Sequence, residues 1–176
     1  MARISALETG SIDAESKGIF TEIEGTFGMV PNLFKTYAHH HPLLRANWNK
    51  VKAVMAEGSL SQKTKQAIAV LVSRDNNCAY CVAAHTGALR SIGVSDSEIK
   101  TIEEDLEKTD FSTKERALIN FARKANKSPN RIADEEFASL RSAGASNAEI
   151  VEALGVMELF TAFNKFLDSL QVEIDF

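Results

Sequence analysis

The sequence is short of several features that would by themselves define a class of protein. Its 176 residues include only two cysteines, three prolines and one tryptophan. The longest strictly apolar run covers residues 67–72, far too few to cross a bilayer, and the first residues lack the pattern of a secretion signal. We therefore expect a cytoplasmic protein with no membrane partner.

An excess of charge of one sign is also missing. The net charge is −4, and the 20 basic and 24 acidic residues are interspersed along the chain. No basic run or basic, aromatic-rich stripe is present, which argues against a nucleic-acid partner. We expect residues 1–176 to fold as a single domain, since a chain of this length can bury a core without disulfide staples.

The hydrophobic pattern is helical nearly throughout and predicts an all-α fold. Apolar residues recur every three or four positions, and glycine and proline stand mainly at the junctions. Residues 1–59 hold the N-terminal helices, which are broken at residues 28–32 and at Pro42. Beyond them we predict six helices, at residues 61–74, 78–91, 95–107, 112–126, 134–143 and 146–170.

The chain repeats itself at an offset of 51 residues. Residues 89–99 (LRSIGVSDSEI) return as residues 140–150 (LRSAGASNAEI) without an insertion. In each copy a glycine ends one helix and a Ser-x-x-Glu capping box opens the next. We therefore predict an internal duplication of a three-helix unit, with repeat one at residues 60–110 and repeat two at residues 111–176.

Both cysteines lie in one segment, residues 77–85 (NCAYCVAAH). On a helix, Cys78, Cys81 and His85 share one face. One thiol of such a pair can attack, the other can close a disulfide, and the imidazole can move the proton. Repeat two keeps none of the three residues, which favours a special role over packing. The segment predicts an enzyme with thiol–disulfide chemistry.

Either sulfur could be the attacker. Asn76 and Asn77 are N-cap candidates, which would place Cys78 in the first turn of the helix. There the free amides and the helix dipole can lower a cysteine pKa to roughly 3.5–7.5. Cys81 lies one turn deeper, where His85 can take its proton or return one. The dipole favours Cys78 and the histidine favours Cys81, so the residues leave the choice open.

Metal and cofactor sites are the competing interpretations. Cys78, Cys81 and His85 with a water would suit a catalytic zinc. However, one short helical stretch leaves little room for all three ligands around one ion, and no fourth Cys or His is near in the sequence. Residues 39–41 (HHH) point in different directions ahead of Pro42, and we expect them to be a solvated helix end. No glycine-rich phosphate loop is present. We expect neither a metal nor a cofactor.

These motifs resemble the carboxymuconolactone decarboxylase family, in particular its alkylhydroperoxidase D-like, peroxidase-related branch. The resemblance rests on the Cys-x-x-Cys-x-x-x-His run and on four further segments, residues 28–33 (GMVPNL), 120–130, 163–166 (FNKF) and 172–173 (VE). It covers nearly the whole chain and implies an all-helical fold assembled into homo-oligomers. It also implies a peroxidase whose thiol pair reduces a hydroperoxide substrate and is re-reduced by a protein dithiol.

The resemblance also assigns roles. It makes Cys81 the attacker of the peroxide, Cys78 the resolving thiol and His85 the proton shuttle. The relay glutamate of the family falls at Gln66, whose neutral amide cannot accept a proton but can orient a water or the thiol. A second histidine found in some members falls at Tyr80, which we expect to pack or to line the approach to the thiols.

Two other functions remain as alternatives. The first is a non-enzymatic helical oligomer whose thiol pair senses oxidation, which the loss of the relay glutamate makes more plausible. The second is the lactone decarboxylase activity that gives the family its name and does not need the cysteine pair. Catalytic turnover with a peroxide and a dithiol separates the peroxidase from the sensor, whereas a decarboxylase activity would survive replacement of both cysteines.

Overall fold

α-Helices make up most of the chain. The computed structural model describes residues 1–56 and 58–176, and in these residues it contains no β-strand. The helices are α1 (Ala14–Phe27), α2 (Asn32–Tyr37), α3 (His41–Met55), α4 (Gln62–Asp75), α5 (Ala79–Ser91), α6 (Asp96–Glu104), α7 (Thr113–Lys127), α8 (Asp134–Ser142) and α9 (Asn147–Leu170). Short 3-10 helices lie at Thr9–Ser11, Leu106–Lys108 and Pro129–Arg131. The predicted all-α fold is confirmed, and the six helices predicted after residue 60 end within a few residues of their expected bounds.

Glycines end α5 and α8 in the same way. Gly93 and Gly144 lie in the left-handed region, with φ of 89° and 86°. In both turns the amide of the residue after the glycine donates to a carbonyl five residues earlier, at 3.1 Å for Val94 and 3.0 Å for Ala145. Glycine suits these turns because it has no Cβ to clash at positive φ. The two turns stand 51 residues apart, as the repeat predicts.

The predicted capping boxes differ between the repeats. At α9 the box is complete, since the Glu149 amide donates to Ser146 Oγ (3.2 Å) and the Ser146 amide donates to the Glu149 carboxylate (2.8 Å). At α6 the Glu98 amide donates to Ser95 Oγ (3.2 Å), but the Glu98 carboxylate pairs with Lys63. The box at Ser95 is therefore only half formed, and the prediction of a full box there is wrong.

That ion pair has a counterpart in the other repeat. Lys63 on α4 pairs with Glu98 on α6, and Lys114 on α7 pairs with Glu149 on α9 at 2.6 Å. The Lys114 ammonium, together with the amide of Ser146, lowers the pKa of the Glu149 carboxyl to about 2. Each pair joins the first helix of its repeat to the third. The two copies thus share tertiary contacts as well as helix ends, as a duplicated unit should.

The chain forms two compact units. The first contains Met1–Ala56 and Lys165–Phe176, and the second follows Ala56 and ends at Asn164. In the first unit the Arg3 amide donates to the Leu170 carbonyl, and the Asn32 amide donates to the Asp175 carboxylate, both at 2.8 Å. The predicted boundaries put residues 165–176 in repeat two, whereas these bonds group them with the N-terminal helices.

The second unit is built around α4. This helix packs against both α5 and α7, and residues 67–72 in its middle are at most 1% exposed. A helix that is buried on all sides needs apolar residues all round, which explains the apolar run of the sequence. The C-terminal end of α4 leads directly to the cysteines. Among the described residues, no helix is both long and apolar enough to span a membrane.

Candidate active site

A short link carries the chain from α4 to the cysteines. Asn76 is the C-cap of α4, and Asn77 follows in the left-handed region at φ 61°. The Cys78 amide donates to the Ser73 carbonyl (2.9 Å), and the Asn77 amide donates to a carbonyl three residues back (3.0 Å). This pair of bonds is a Schellman motif. Cys78 is itself the N-cap of α5. The prediction that the asparagines cap α5 is therefore wrong, because they satisfy the last carbonyls of α4 instead.

The two thiols are buried together. Cys78 is 0% and Cys81 3% exposed, and both are in the thiol form. A hydrogen bond with the Cys78 sulfur, followed by burial, raises the pKa of the Cys81 thiol, and hydrogen bonds with Asn164 and Ser73 oppose this rise only in part. Cys81 therefore keeps its proton at neutral pH. A base must remove that proton before Cys81 can act as a nucleophile.

His85 is oriented by Gln66. Its Nδ1 lies 2.7 Å from Gln66 Oε1, which joins α5 to α4. Because an amide oxygen can only accept, Nδ1 carries the hydrogen and Nε2 keeps its lone pair. Burial lowers the pKa of the His85 ring to about 4, so the ring is neutral at neutral pH. We expected Gln66 to orient a water or the thiol, whereas it orients the candidate base.

Aromatic rings pack beside this base. Phe160 of α9 meets the His85 ring edge-on, with centroids 4.2 Å apart and an angle of 73° between the planes. Phe163 lies edge-on to Phe160 at 6.2 Å. Burial of the ring, to which Phe160 contributes, lowers the His85 pKa. Tyr80 is 5% exposed, so of its two predicted roles the structure favours packing.

A buried polar network beside Cys81 escaped the sequence analysis. Asn76 Nδ2 donates to Asn164 Oδ1 (2.9 Å), and Asn164 Nδ2 donates to Ser73 Oγ (3.0 Å). Ser73 is fully buried and Asn164 is 1% exposed. The sequence did hold a signal, because both residues are polar and stand among apolar core positions of their helices. The sequence could not show that the packing of α4 and α9 brings Ser73 and Asn164 together beside the Cys81 sulfur.

One group of side chains in the first unit has the size of a metal site. The candidate ligand atoms of Asp13, Glu15 and His41 lie within 4.8 Å of one another. They already have protein partners: Asp13 accepts from the Ser16 amide at the start of α1, and Glu15 pairs with Arg45. His41 Nε2 also contacts the Glu15 carboxylate (2.7 Å). The group is therefore an ion-paired helix start, while His39 and His40 are exposed beside it, as expected of a solvated helix end.

Known proteins resemble this chain in sequence and in fold. The model of the carboxymuconolactone decarboxylase family matches residues 42–124. Among curated proteins, alkyl hydroperoxide reductase Rv2159c of Mycobacterium tuberculosis is 28% identical over 79 residues, which cover 45% of this chain and 23% of that protein. An uncharacterized protein of the cox locus of Paracoccus denitrificans is 38% identical over 48 residues, which cover 27% of this chain and 43% of that protein. The chain thus matches less than half the length of either relative.

Solved structures match nearly the whole chain. A peroxidase-related protein with an alkylhydroperoxidase AhpD core from Ralstonia eutropha superposes with a TM-score of 0.88 at 24% identity, over 99% of this chain and 92% of the other. A peroxidase-related protein from Silicibacter sp. gives 0.84 at 26% identity, over 97% and 92%. The debrominase Bmp8 gives 0.83 at 21% identity, over 98% and 91%, which is a likeness of fold alone. The resemblance to the carboxymuconolactone decarboxylase family is therefore confirmed, and the chain has the fold of its alkylhydroperoxidase D-like branch.

Proposed function

We infer that this protein is a thiol-dependent peroxidase that reduces a hydroperoxide through Cys81 and Cys78. The observation that carries the proposal is the contact between two buried thiols at the start of α5, with a neutral histidine one turn further on. The names of the relatives in the alkylhydroperoxidase branch support the same class of reaction.

The first step forms a sulfenic acid on Cys81. His85 Nε2 accepts the Cys81 proton, and the sulfur attacks the terminal oxygen of the hydroperoxide. The S–O bond forms as the O–O bond breaks, and the departing alkoxide takes the proton back from His85 and leaves as an alcohol. The sulfur is oxidised by two electrons and the peroxide is reduced by two.

The second step closes the disulfide. The Cys78 sulfur attacks Cys81, the S–S bond forms and the S–O bond breaks. Hydroxide leaves and takes the Cys78 proton, giving water. A protein dithiol then reduces the disulfide by thiol exchange and restores both thiols.

The raised pKa of Cys81 explains why the site needs a base. A thiol that is protonated at neutral pH has few thiolates to attack with, and general-base catalysis typically contributes 10²- to 10⁴-fold, approximately. His85 suits this task because it is neutral and its hydrogen is on Nδ1. Gln66 fixes that tautomer, although it cannot pass the proton on.

We also propose a cellular compartment and an oligomeric state for the peroxidase. A dithiol reductant implies a reducing compartment, and we place the protein in the cytoplasm for that reason. The resemblance to the family supports a homo-oligomer, which light scattering on the purified protein would test. A redox sensor and a lactone decarboxylase are the outcomes that the activity test must separate from a peroxidase.

The test is hydroperoxide consumption coupled to a dithiol, measured for the wild type and for Cys81→Ser and Cys78→Ser. We expect turnover in the wild type and none in either variant. Ala79→Ser is the matched control, since it adds a serine at an exposed position of the same turn. A single stoichiometric oxidation without turnover would identify a sensor, and unchanged activity in both cysteine variants would refute the thiol mechanism.

A further inference from the structure

Asn164 is a polar residue at a buried position of α9. The preceding core positions of the helix, Phe160 and Phe163, are buried, and so is Asn164. An amide in such a place costs free energy unless its hydrogen bonds are satisfied. Its burial therefore indicates a specific set of partners.

Those partners fix which way the amide faces. Asn164 Oδ1 accepts from Asn76 Nδ2, so Nδ2 of Asn164 is directed to Ser73 Oγ. Because Ser73 Oγ accepts this bond, the hydrogen of its own hydroxyl is available for another acceptor. Asn164 Nδ2 likewise has a second hydrogen. The network thus presents two donors on the side of Cys81.

A second layer holds Asn76 in this orientation. Asn126 Nδ2 donates to Asn76 Oδ1 (2.9 Å), and Asn76 Nδ2 donates back to Asn126 Oδ1 (3.2 Å). Thr161 Oγ1 also donates to Asn126 Oδ1 (2.7 Å). With its oxygen accepting from Asn126, Asn76 is left to donate to Asn164. This second layer therefore fixes which side chain donates and which accepts in the series of hydrogen bonds that ends at Cys81.

Both donors reach the sulfur. Cys81 makes side-chain hydrogen bonds with Asn164 and Ser73, and both bonds lower its pKa against the opposing effects of Cys78 and burial. Ser73 also holds Cys78, because its carbonyl accepts the Cys78 amide. One serine thus contacts the backbone of one cysteine and the sulfur of the other.

We propose that Ser73 and Asn164 are positioning residues for Cys81, which hold its sulfur in place and donate hydrogen bonds to the thiolate it forms. The thiolate role in catalysis rests on the proposed peroxidase function, whereas the hydrogen bonding of the sulfur does not. A hydrogen bond to a charged group is strong enough to change the thiolate fraction by about tenfold.

The charged group at the end of α4 has identified partners. Cys78 acts directly on Cys81, and His85 follows one turn later on α5. At the end of α4, the Asp75 carboxylate pairs with Arg123 and Lys127 of α7, at 2.8 and 2.7 Å. A change in Cys81 titration that follows loss of Ser73 or Asn164 can therefore be assigned to the lost donors.

The test is the titration of Cys81, followed by the chemical shift of its carbon-13-labelled Cβ in a Cys78→Ser background. Ser73→Ala and Asn164→Ala should each raise the apparent pKa of Cys81 by about one unit. Ser73→Thr keeps the donor and should restore the parent value. Thr161→Val is the matched control, since it removes one hydrogen bond to Asn126 but leaves the Asn126–Asn76 pair and both donors to sulfur in place.

The outcomes are distinct. Upward shifts in Ser73→Ala and Asn164→Ala, with no shift in Thr161→Val, support the assignment. An unchanged titration in Ser73→Ala, a mild replacement in a helix, would overturn it even if Asn164→Ala failed to fold. If the wild type left peroxide untouched while the shifts persisted, the peroxidase proposal would fail and this assignment would stand.

Discussion

His85 Nδ1 lies 2.7 Å from Gln66 Oε1, at the position where the resemblance to the family implies a relay glutamate. The contact gives the amide a definite function, because it fixes the neutral tautomer of the ring with Nε2 unprotonated. A glutamate at this position would also stabilise the imidazolium, which an uncharged amide does far less well. The low pKa of His85 follows from burial without a compensating charge.

Removing the base should slow the first step. We expect His85→Ala to lower the rate of Cys81 oxidation at neutral pH by about 100-fold, because the buried thiol loses its proton acceptor. Gln66→Leu should lower it by about tenfold, the effect of losing one hydrogen bond that holds the tautomer. Stopped-flow mixing of reduced protein with hydroperoxide measures both rates. Equal rates in the wild type and His85→Ala would exclude the histidine as the base.

Restoring a carboxylate at position 66 should change how the rate of Cys81 oxidation depends on pH. In the wild type we expect this rate to fall as pH drops through about 4, where His85 becomes protonated. Gln66→Glu should move this fall in rate to higher pH, because the new charge favours the imidazolium. Gln62→Glu is the matched control, since it adds the same charge to the same helix at an exposed position. If the rate of Gln66→Glu fell at the same pH as that of the wild type, protonation of His85 would not be the cause of the fall.

His85 should also make stability depend on pH. Its pKa is about 4 in the folded chain against an ordinary value of 6.5, so between these values the unfolded chain binds the extra proton. The contribution of His85 to the free energy of unfolding is fully present above pH 6.5 and is lost as pH falls towards 4. The loss amounts to about 2–3 kcal/mol at most. Urea unfolding across this range should show a flatter dependence for His85→Gln than for the wild type. Parallel curves would contradict the lowered pKa.

The link before Cys78 should tolerate glycine but not a β-branched residue. Asn77 has φ of 61°, where a Cβ-branched side chain is strained. We expect Asn77→Gly to leave the free energy of unfolding nearly unchanged and Asn77→Val to lower it by about 1–2 kcal/mol. Asn49→Val, at an exposed position within α3, is the control for the same replacement in ordinary helical backbone. Equal losses at the two positions would contradict the strain argument.

The fold was predictable because its signals are local. Helix periodicity, the serine caps and the glycines at positions 93 and 144 are all written within a few residues of the features they specify. Long-range contacts are different. The ion pair between Lys63 and Glu98 and the grouping of residues 165–176 with the N-terminal helices both join residues far apart in the chain. Neither contact can be seen within one helix.

The site was predictable to the same extent. Cys78, Cys81 and His85 lie within one stretch of helix, so their spacing indicated their proximity. Gln66 contacts His85 across two helices, and Asn164 reaches Cys81 from the far end of the sequence. Such pairs depend on how helices pack, and the pKa of Cys81 depends on the burial that packing creates. The sequence therefore indicated the candidate thiols and histidine and, through the family resemblance, Gln66, but not Ser73 or Asn164.

The central claim is that the two thiols react with a peroxide as a pair, with Cys81 as the attacker. The most direct test is the intact mass and thiol count of the reduced protein before and after one equivalent of hydroperoxide. The wild type should lose both thiols and the mass of two hydrogens, and Cys78→Ser should gain one oxygen as a sulfenic acid on Cys81. Cys81→Ser should remain unoxidised over the same time. Two thiols that persist in the wild type, or a sulfenic acid that forms on Cys78 instead, would contradict the account.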